Sequence, residues 1–228
     1  MDVYLRKIMQ GSILFQNIDD NDYANLINYF SPKIKQFSKN EIILLTGDFV
    51  QNIGVVLKGT AHAFLEHVSG SQTLISNLMP MSVFGEILVS TRTHKSPVTI
   101  YAASDVTAAF IEYGKIYSMS SDSDSAQRLF LQNMLKTIGD KYFYLFDRIA
   151  VLREKTLRAK IMAYFFALSG NGAETKVIIP FSKTMLADYL LTNRSALSKE
   201  LQKMKYDGLL TVRGREVELL FLYGSDNV

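Results

Sequence analysis

The stretch Ser182–Leu210, SKTMLADYLLTNRSALSKELQKMKYDGLL, constrains this chain more than any other. Leu186, Ala187 and Leu190 recur at helical spacing behind Ser182, a residue suited to an N-cap, and Leu191-Thr192-Asn193 breaks the period before a second helix. Two short helices around a tight turn are expected. In the second, Leu197, Leu201 and Met204 stand at i, i+4 and i+7 and share a buried face, while Ser195, Ser198, Lys199 and Gln202 share roughly the opposite one, with Arg194 beside them. Gly208 marks the stop, and Lys203 and Lys205 in the last turn face the negative end of the helix dipole. A polar, cationic helix of this form suits the major groove, where Arg and Lys donate to guanine O6 and N7. The same spacing also describes an ordinary packed helix pair with a solvated outer face. Leu209–Val212 and Val217–Phe221 read as two short strands around Arg213-Gly214-Arg215-Glu216, a hairpin whose arginines are suited to phosphate contact.

With 228 residues and 48% hydrophobic composition, the chain can bury the core of one large domain or two modest ones. A net charge of +3 permits nucleic-acid binding without demanding it, since a local basic patch matters more than the total. The chain has no cysteine, which excludes disulfides, thiolate metal sites and cysteine nucleophiles. Met1–Gln10 is too polar for a signal sequence, and the aromatic run near Tyr142 is interrupted by charges, so a cytoplasmic protein with no membrane partner is expected. His62 and His67 lie five apart on one strand run, which alternation sends to opposite faces, and neither they nor His94 make a metal site. No Ser-His-Asp arrangement, phosphate-cradling glycine loop or paired carboxylates stand out, so no catalytic residue, no resident cofactor and no enzyme is expected.

Residues up to about Phe30 suggest small packing helices (Leu5, Ile8, Met9; Tyr23, Leu26, Ile27, Tyr29, Phe30) around an Asp/Asn-rich turn at Asn17–Asp22. From Ile34 to Ile111 short apolar runs alternate with turn residues, the texture of a β-barrel or roll: Glu41–Leu45, Ile53–Leu57, Ala61–His67, Thr73–Leu78, Thr99–Ala103 and Thr107–Ile111. Phe84-Gly85-Glu86-Ile87-Leu88 interrupts them with a glycine-led short helix. A long helix is expected from near Ser123 to about Leu152. Its residues Leu131, Leu135, Ile138, Tyr142, Leu145, Ile149 and Leu152 alternate spacings of four and three, a heptad seam for a second copy of the chain. Leu129, Phe130, Met134, Phe143 and Phe146 add apolar surface outside the seam, so one face is expected on the barrel and one on a partner helix. Arg153–Thr156 is a polar break suited to a hinge, and Leu157–Leu168 is a further amphipathic helix with Ile161, Tyr164, Phe165 and Leu168 inward. Val177–Pro180 then offers a short strand.

The order of these parts, with Gly85-Glu86 in VFGEILVS and the helix pair LADYLLTNRSALSKELQKMKYDGLL, resembles the CRP/FNR family of bacterial transcription regulators over essentially the whole chain. The resemblance implies an α+β fold: an N-terminal cyclic-nucleotide-binding-like β-roll sensor at 1–122, a long central dimerisation helix at 123–152 and a C-terminal winged helix-turn-helix DNA-binding domain at 153–228. It further implies a homodimer on a pseudo-palindromic operator in double-stranded DNA, an activator touching RNA polymerase through the Ser169–Lys176 loop, and control by a small-molecule effector bound between roll and long helix. The family's base-reading positions fall on Arg194, Ser195 and Lys199, which with Ser198, Gln202, Arg213 and Arg215 make up the expected DNA surface. Where the cyclic-AMP receptor has Arg-Glu and a later Arg, this chain has Arg194-Ser195 and Lys199, so its half-site should differ.

The sensor departs further from that receptor. The Arg-Ser pair with which cyclic-AMP binders clamp the phosphate is replaced by Ser96-Pro97, which makes cyclic AMP a poor candidate. Gly85, Glu86, Ser96, Pro97, Tyr142 and Phe146 form the expected effector surface, for an apolar or aromatic molecule as in the phenol-sensing halorespiration members; the same aromatics read equally as dimer and barrel core. Two alternatives stay open at this point: a constitutive DNA-binding regulator with a vestigial sensor, and an effector-binding scaffold dimer that never meets DNA.

Overall fold

The computed structural model describes residues 3–119, 125–180 and 182–220. The expected helix start near Ser123 and the strand end at Phe221 lie outside them. The chain packs into two compact units, Met1–Lys141 and Tyr142–Val228, and the division falls inside the long helix.

The first unit begins with α1 (Val3–Gln10), a 3-10 turn (Ile13–Phe15) and α2 (Asp20–Phe30). The Asp/Asn-rich segment at Asn17–Asp22 is less of a turn than its composition suggests. Asp19 caps α2, its carboxylate accepting from the backbone N–H groups of Asn21 (3.0 Å) and Asp22 (2.9 Å), so the acidic residues that follow already belong to the helix. The strands are β1 (Lys33–Phe37), β2 (Ile42–Leu44), β3 (Asn52–Lys58), β4 (Ala61–Glu66), β5 (Gln72–Leu78), β6 (Val83–Phe84), β7 (Thr99–Ala102) and β8 (Val106–Glu112), with α3 (Glu86–Val89) after β6 and α4 (Tyr113–Tyr117) after β8. They form two antiparallel four-stranded sheets, in the orders β1-β8-β3-β6 and β2-β7-β4-β5. Each of the six strand runs read from the sequence is present; β1 and β6 are additional.

Strand β3 shows why the unit has two cores. Residues Ile53 to Leu57 are buried without a break, because alternate side chains meet different neighbours. Ile53, Val55 and Leu57 point to the helical side and pack with Phe15, Phe30 and Phe130, while Val56 joins Ala61, Ile100 and Ala108 between the two sheets.

The long helix α5 (Ser125–Arg153) closes the helical side of this unit. Ala126, Phe130, Asn133, Met134 and Thr137 recur every three or four residues and are buried. Phe130 lies with its ring centroid 4.8 Å from that of Phe30 and 5.3 Å from that of Phe15. Asn133 Nδ2 donates to the carbonyls of Leu14 (3.2 Å) and Gln16 (2.9 Å), so even the polar member of the stripe has its partners. The other side of the helix keeps its apolar residues in solvent: Leu135 is 69% exposed, Tyr142 62% and Ile149 60%.

The second unit contains the end of α5, then α6 (Leu157–Leu168), β9 (Lys176–Ile178), α7 (Lys183–Tyr189), α8 (Arg194–Tyr206), β10 (Leu210–Arg213) and β11 (Glu216–Leu219). Ile161, Tyr164 and Phe165 are buried and Leu168 is half-buried, as their spacing requires. The break at Arg153–Thr156 carries the cap of α6, where the Thr156 hydroxyl accepts from Ala159 N–H at 3.1 Å. Strands β10 and β11 pair from Leu210↔Leu219 to Arg213↔Glu216, and β9 joins the far side of β11. Ile161, Phe165, Leu186, Leu197, Met204 and Val217 share one core, which seats the helix pair on the three-stranded sheet.

Because Phe130 is completely enclosed, its replacement by alanine should cost about 3–5 kcal/mol. Chemical denaturation followed by far-ultraviolet circular dichroism checks this, and a loss below 1 kcal/mol would contradict the packing described.

Candidate nucleic-acid interface and sensor site

The helix pair is fixed at each end by local chemistry. The Ser182 hydroxyl accepts from Met185 N–H at 3.3 Å to start α7, and the Asn193 side chain accepts from Ala196 N–H at 2.8 Å to start α8. Between them Leu190 is buried, and Leu191, 56% exposed, takes the left-handed conformation with φ at 53°. A leucine pays a steric penalty there that glycine would not. At the other end Gly208, with φ at 71°, lets Leu209 N–H return to the Met204 carbonyl at 3.0 Å and ends α8.

Leu197, Leu201 and Met204 hold α8 on the core, and Arg158 of α6 orients it from the side. Arg158 Nε donates to Glu200 Oε1 and its Nη1 to Asp207 Oδ2, both at 2.6 Å, which holds the guanidinium pKa above its ordinary value. These two acids are thereby committed to Arg158. Arg194, Ser195, Lys199 and Gln202 are exposed, and Ser198 is half-buried. Arg213 and Arg215 are exposed on the hairpin. A groove of about 350 Å³ is lined by Lys183, Ser198, Gln202, Lys205 and Gly214, so the middle of α8, the start of α7 and the hairpin tip share one concave surface. Lys183, which the sequence pattern assigns to nothing, and Lys205, read only as a dipole charge, are two of its walls. The N-cap at Ser182 is the signal that would have placed Lys183 at this edge.

At the sensor, Gly85 adopts φ of 84°, and a Cβ there would lie 2.7 Å from the Asn52 carbonyl oxygen, so the turn into α3 needs glycine. Glu86 is 1% exposed. Lys141 of α5 brings Nζ to 2.6 Å from Glu86 Oε1 as an ion pair and donates to the Val83 carbonyl at 2.6 Å, while neither Glu86 oxygen has a hydrogen-bond partner. Lys141 continues the buried stripe of α5 four residues beyond Thr137. A lysine is usually read as solvated, and that periodicity is the clue that this one turns inward.

Ser96 and Pro97 offer an anion nothing. Ser96 N–H donates to the Asp48 carbonyl at 3.0 Å, its hydroxyl donates to the Val98 carbonyl at 2.7 Å, and exposed Pro97 has no N–H. Arg92 and Lys95 are exposed as well. The structure thus brings Gly85 and Glu86 together with Lys141, whereas Tyr142 and Phe146 are exposed residues of the second unit. Among the described residues no group of three or more His, Asp or Glu side chains could hold a metal ion.

Removing Lys141 strands a buried carboxylate. Lys141→Met should destabilise the first unit by about 3 kcal/mol, the low end for a broken buried pair because the lysine is partly exposed, and Glu86→Gln in the same chain should recover most of it. Urea denaturation of the two variants checks this. Leu191→Gly should stabilise by about 0.5–1 kcal/mol by relieving the left-handed leucine. A lower thermal midpoint for that variant would contradict the strain.

Residues 34–123 match the cyclic nucleotide-binding domain family, and residues 159–222 match the Crp-like helix-turn-helix domain family. Transcriptional activator protein FnrA of Stutzerimonas stutzeri is 21% identical over 191 residues, spanning 82% of this chain and 76% of that protein. Among solved structures, a CooA mutant from Carboxydothermus hydrogenoformans superposes with a TM-score of 0.67 at 20% identity, over 91% of this chain and 90% of that one. FixK2 from Bradyrhizobium japonicum does so with a TM-score of 0.59 at 15% identity, over 86% of this chain and 98% of that one. These likenesses show the shared fold, and the two domain matches, in this order along one chain, set its ancestry. The chain belongs to the CRP/FNR family of transcription regulators and carries that family's DNA-binding helix-turn-helix.

Proposed function

We propose that the protein acts as a homodimer that reads a pseudo-palindromic operator through α8, under control of a small-molecule effector other than cyclic AMP. The observation that carries the reading is the α8 surface: Arg194, Ser195, Lys199 and Gln202 all face solvent, and Glu200 is tied back to Arg158. Arg194, at the first helical position, would make a bidentate contact to guanine, with Lys199 and Gln202 following along the helix. Ser198 borders the groove between α8 and the hairpin, where Arg213 and Arg215 would neutralise phosphates and set the register without reading bases.

The dimer reading rests on the outward stripe of α5. Leu135, Tyr142, Leu145 and Ile149 are exposed apolar residues at heptad spacing, with Leu131, Ile138 and Leu152 half-buried in the same series. An apolar seam of this length left in water is a poor end state, and an identical helix beside it would cover it. Cyclic AMP is disfavoured because Ser96 and Pro97 supply neither a cation nor a free donor for its phosphate. Gly85 and Glu86 are the sensor residues on which the effector reading rests within the first unit. The Lys141–Glu86 contact favours a second reading, a regulator that binds DNA without an effector because its own lysine occupies the sensor carboxylate. As in FnrA, named a transcriptional activator, we assign activation, with 169–176 as the segment meeting RNA polymerase in the cytoplasm. A regulator of this family requires no catalytic residue.

Fluorescence anisotropy with the cognate duplex tests the DNA reading. Arg194→Ala should weaken specific binding by about 1–3 kcal/mol and relax preference at one base pair of each half-site, while Arg215→Ala should weaken all sequences alike and flatten the salt dependence. Equal loss on specific and random duplex for Arg194→Ala would refute the assigned role. Leu145→Asp with Ile149→Asp should yield monomers by sedimentation velocity, and a dimer that persists would remove the seam from the interface.

A further inference from the structure

The second unit contains a buried cation with nothing to hold. Arg148, on α5, is 4% exposed, yet its Nε, Nη1 and Nη2 all lack a hydrogen-bond partner. Its Cζ stands 4.8 Å from the ring centroid of Tyr189 on α7. That contact offsets part of the lost hydration of the charge and leaves the guanidinium N–H groups unsatisfied. A second orphan packs on the same ring. Tyr164 of α6 lies with its centroid 5.3 Å from that of Tyr189, and its buried hydroxyl has no partner. Tyr144 adds a third ring, 6.0 Å from Tyr189.

Both unsatisfied groups are donors; the Asp147 charge acts on Tyr189, but among the described residues no carboxylate pairs with Arg148. Burial raises the Tyr164 and Tyr189 hydroxyls well above the ordinary phenol range, so they remain neutral. Asp147 and Asp188 are exposed and make no hydrogen bond to Arg148. The seam of a dimer does not help either. With Tyr142 and Ile149 at a positions, Arg148 is a g residue, and the e residues it would meet in a parallel partner are Phe146 and Arg153, neither of them a carboxylate. An unpaired buried guanidinium is unfavourable, and an acceptor bearing a negative charge would satisfy it.

We propose that Arg148 and Tyr164 bind one small monovalent anion, a halide or a short carboxylate, enclosed among α5, α6 and α7. Because Tyr189 ends α7, an occupant would brace the helix that leads into the turn before α8 and would link the DNA-reading pair to the anion composition of its surroundings. The inference is independent of the effector reading, since it uses none of Gly85, Glu86, Ser96, Pro97, Tyr142 and Phe146.

The full-length chain, unfolded by scanning calorimetry at constant ionic strength while sodium gluconate is replaced by sodium chloride or by sodium acetate, tests the site. The wild type should gain roughly 3–5 °C in Tm for each tenfold rise in the bound anion above half-saturation. A response to chloride alone identifies a halide site, and a response to both anions a general one. Arg148→Met should show no response and should unfold in gluconate at or above the wild-type temperature; Tyr164→Phe should raise the half-saturating concentration several-fold. A wild type indifferent to both anions, or one whose response Arg148→Met shares, overturns the proposal. If Arg148→Met fails to fold, an unchanged midpoint in Tyr164→Phe does so.

Discussion

Helix α5 is apolar on two sides, and the protein's organisation follows from that one fact. Its inner stripe, Ala126, Phe130, Met134 and Thr137, is buried in the first unit, where Phe130 is enclosed between Phe15 and Phe30. Burying a phenylalanine of this kind contributes about 1.5–3 kcal/mol and fixes the rotation of the helix about its axis. Once that rotation is set, Leu135, Tyr142, Leu145 and Ile149 must face outward whatever their hydrophobicity. The exposed seam is therefore a consequence of the buried one. A single apolar stripe would have made α5 a covering helix, whereas a second one, seven residues in period, calls for another surface.

The sensor and the reading helix treat charge in opposite ways. In α8 the acids are drawn aside by Arg158, leaving the outer face to Arg194, Lys199 and neutral donors, an arrangement that favours phosphates and guanine edges. Around Glu86 the acid is retained and neutralised from α5 by Lys141. Glu86 is 1% exposed, and Lys141 supplies the only ion pair it makes among the described residues. Any ligand that engages Glu86 must either coexist with the Lys141 ammonium or displace it.

Much of this was legible in the sequence, for reasons that differ between elements. The helix pair was readable because Leu197, Leu201 and Met204 combine a 3.6-residue period with caps at Ser182 and Asn193, and its burial pattern is as that period requires. Strand β1, KIKQF, was not named because its lysines place charge where alternation is sought, and β6 is two residues long, too short to show a period. Lys141 was missed because a lysine next to Asp140, ahead of the aromatic run, reads as a solvated charge, while its register places it on the inner stripe. Arg148 was hidden for the same reason: a charge beside a seam is ordinarily solvated, and only the packing of Tyr144, Tyr164 and Tyr189 reveals that this one is not. Sequence periodicity finds faces; it does not reveal which charged side chains have been enclosed.

In the proposed dimer, two copies of this chain joined along α5 present two α8 helices to one operator. Selection of bound sequences from random duplex DNA by the purified protein, at moderate salt with and without cell extract, tests it most directly. The account predicts enrichment of an inverted repeat whose half-sites are centred roughly one helical turn, about 10 base pairs, apart. Enrichment of a lone half-site, or of no sequence in either condition, would contradict it.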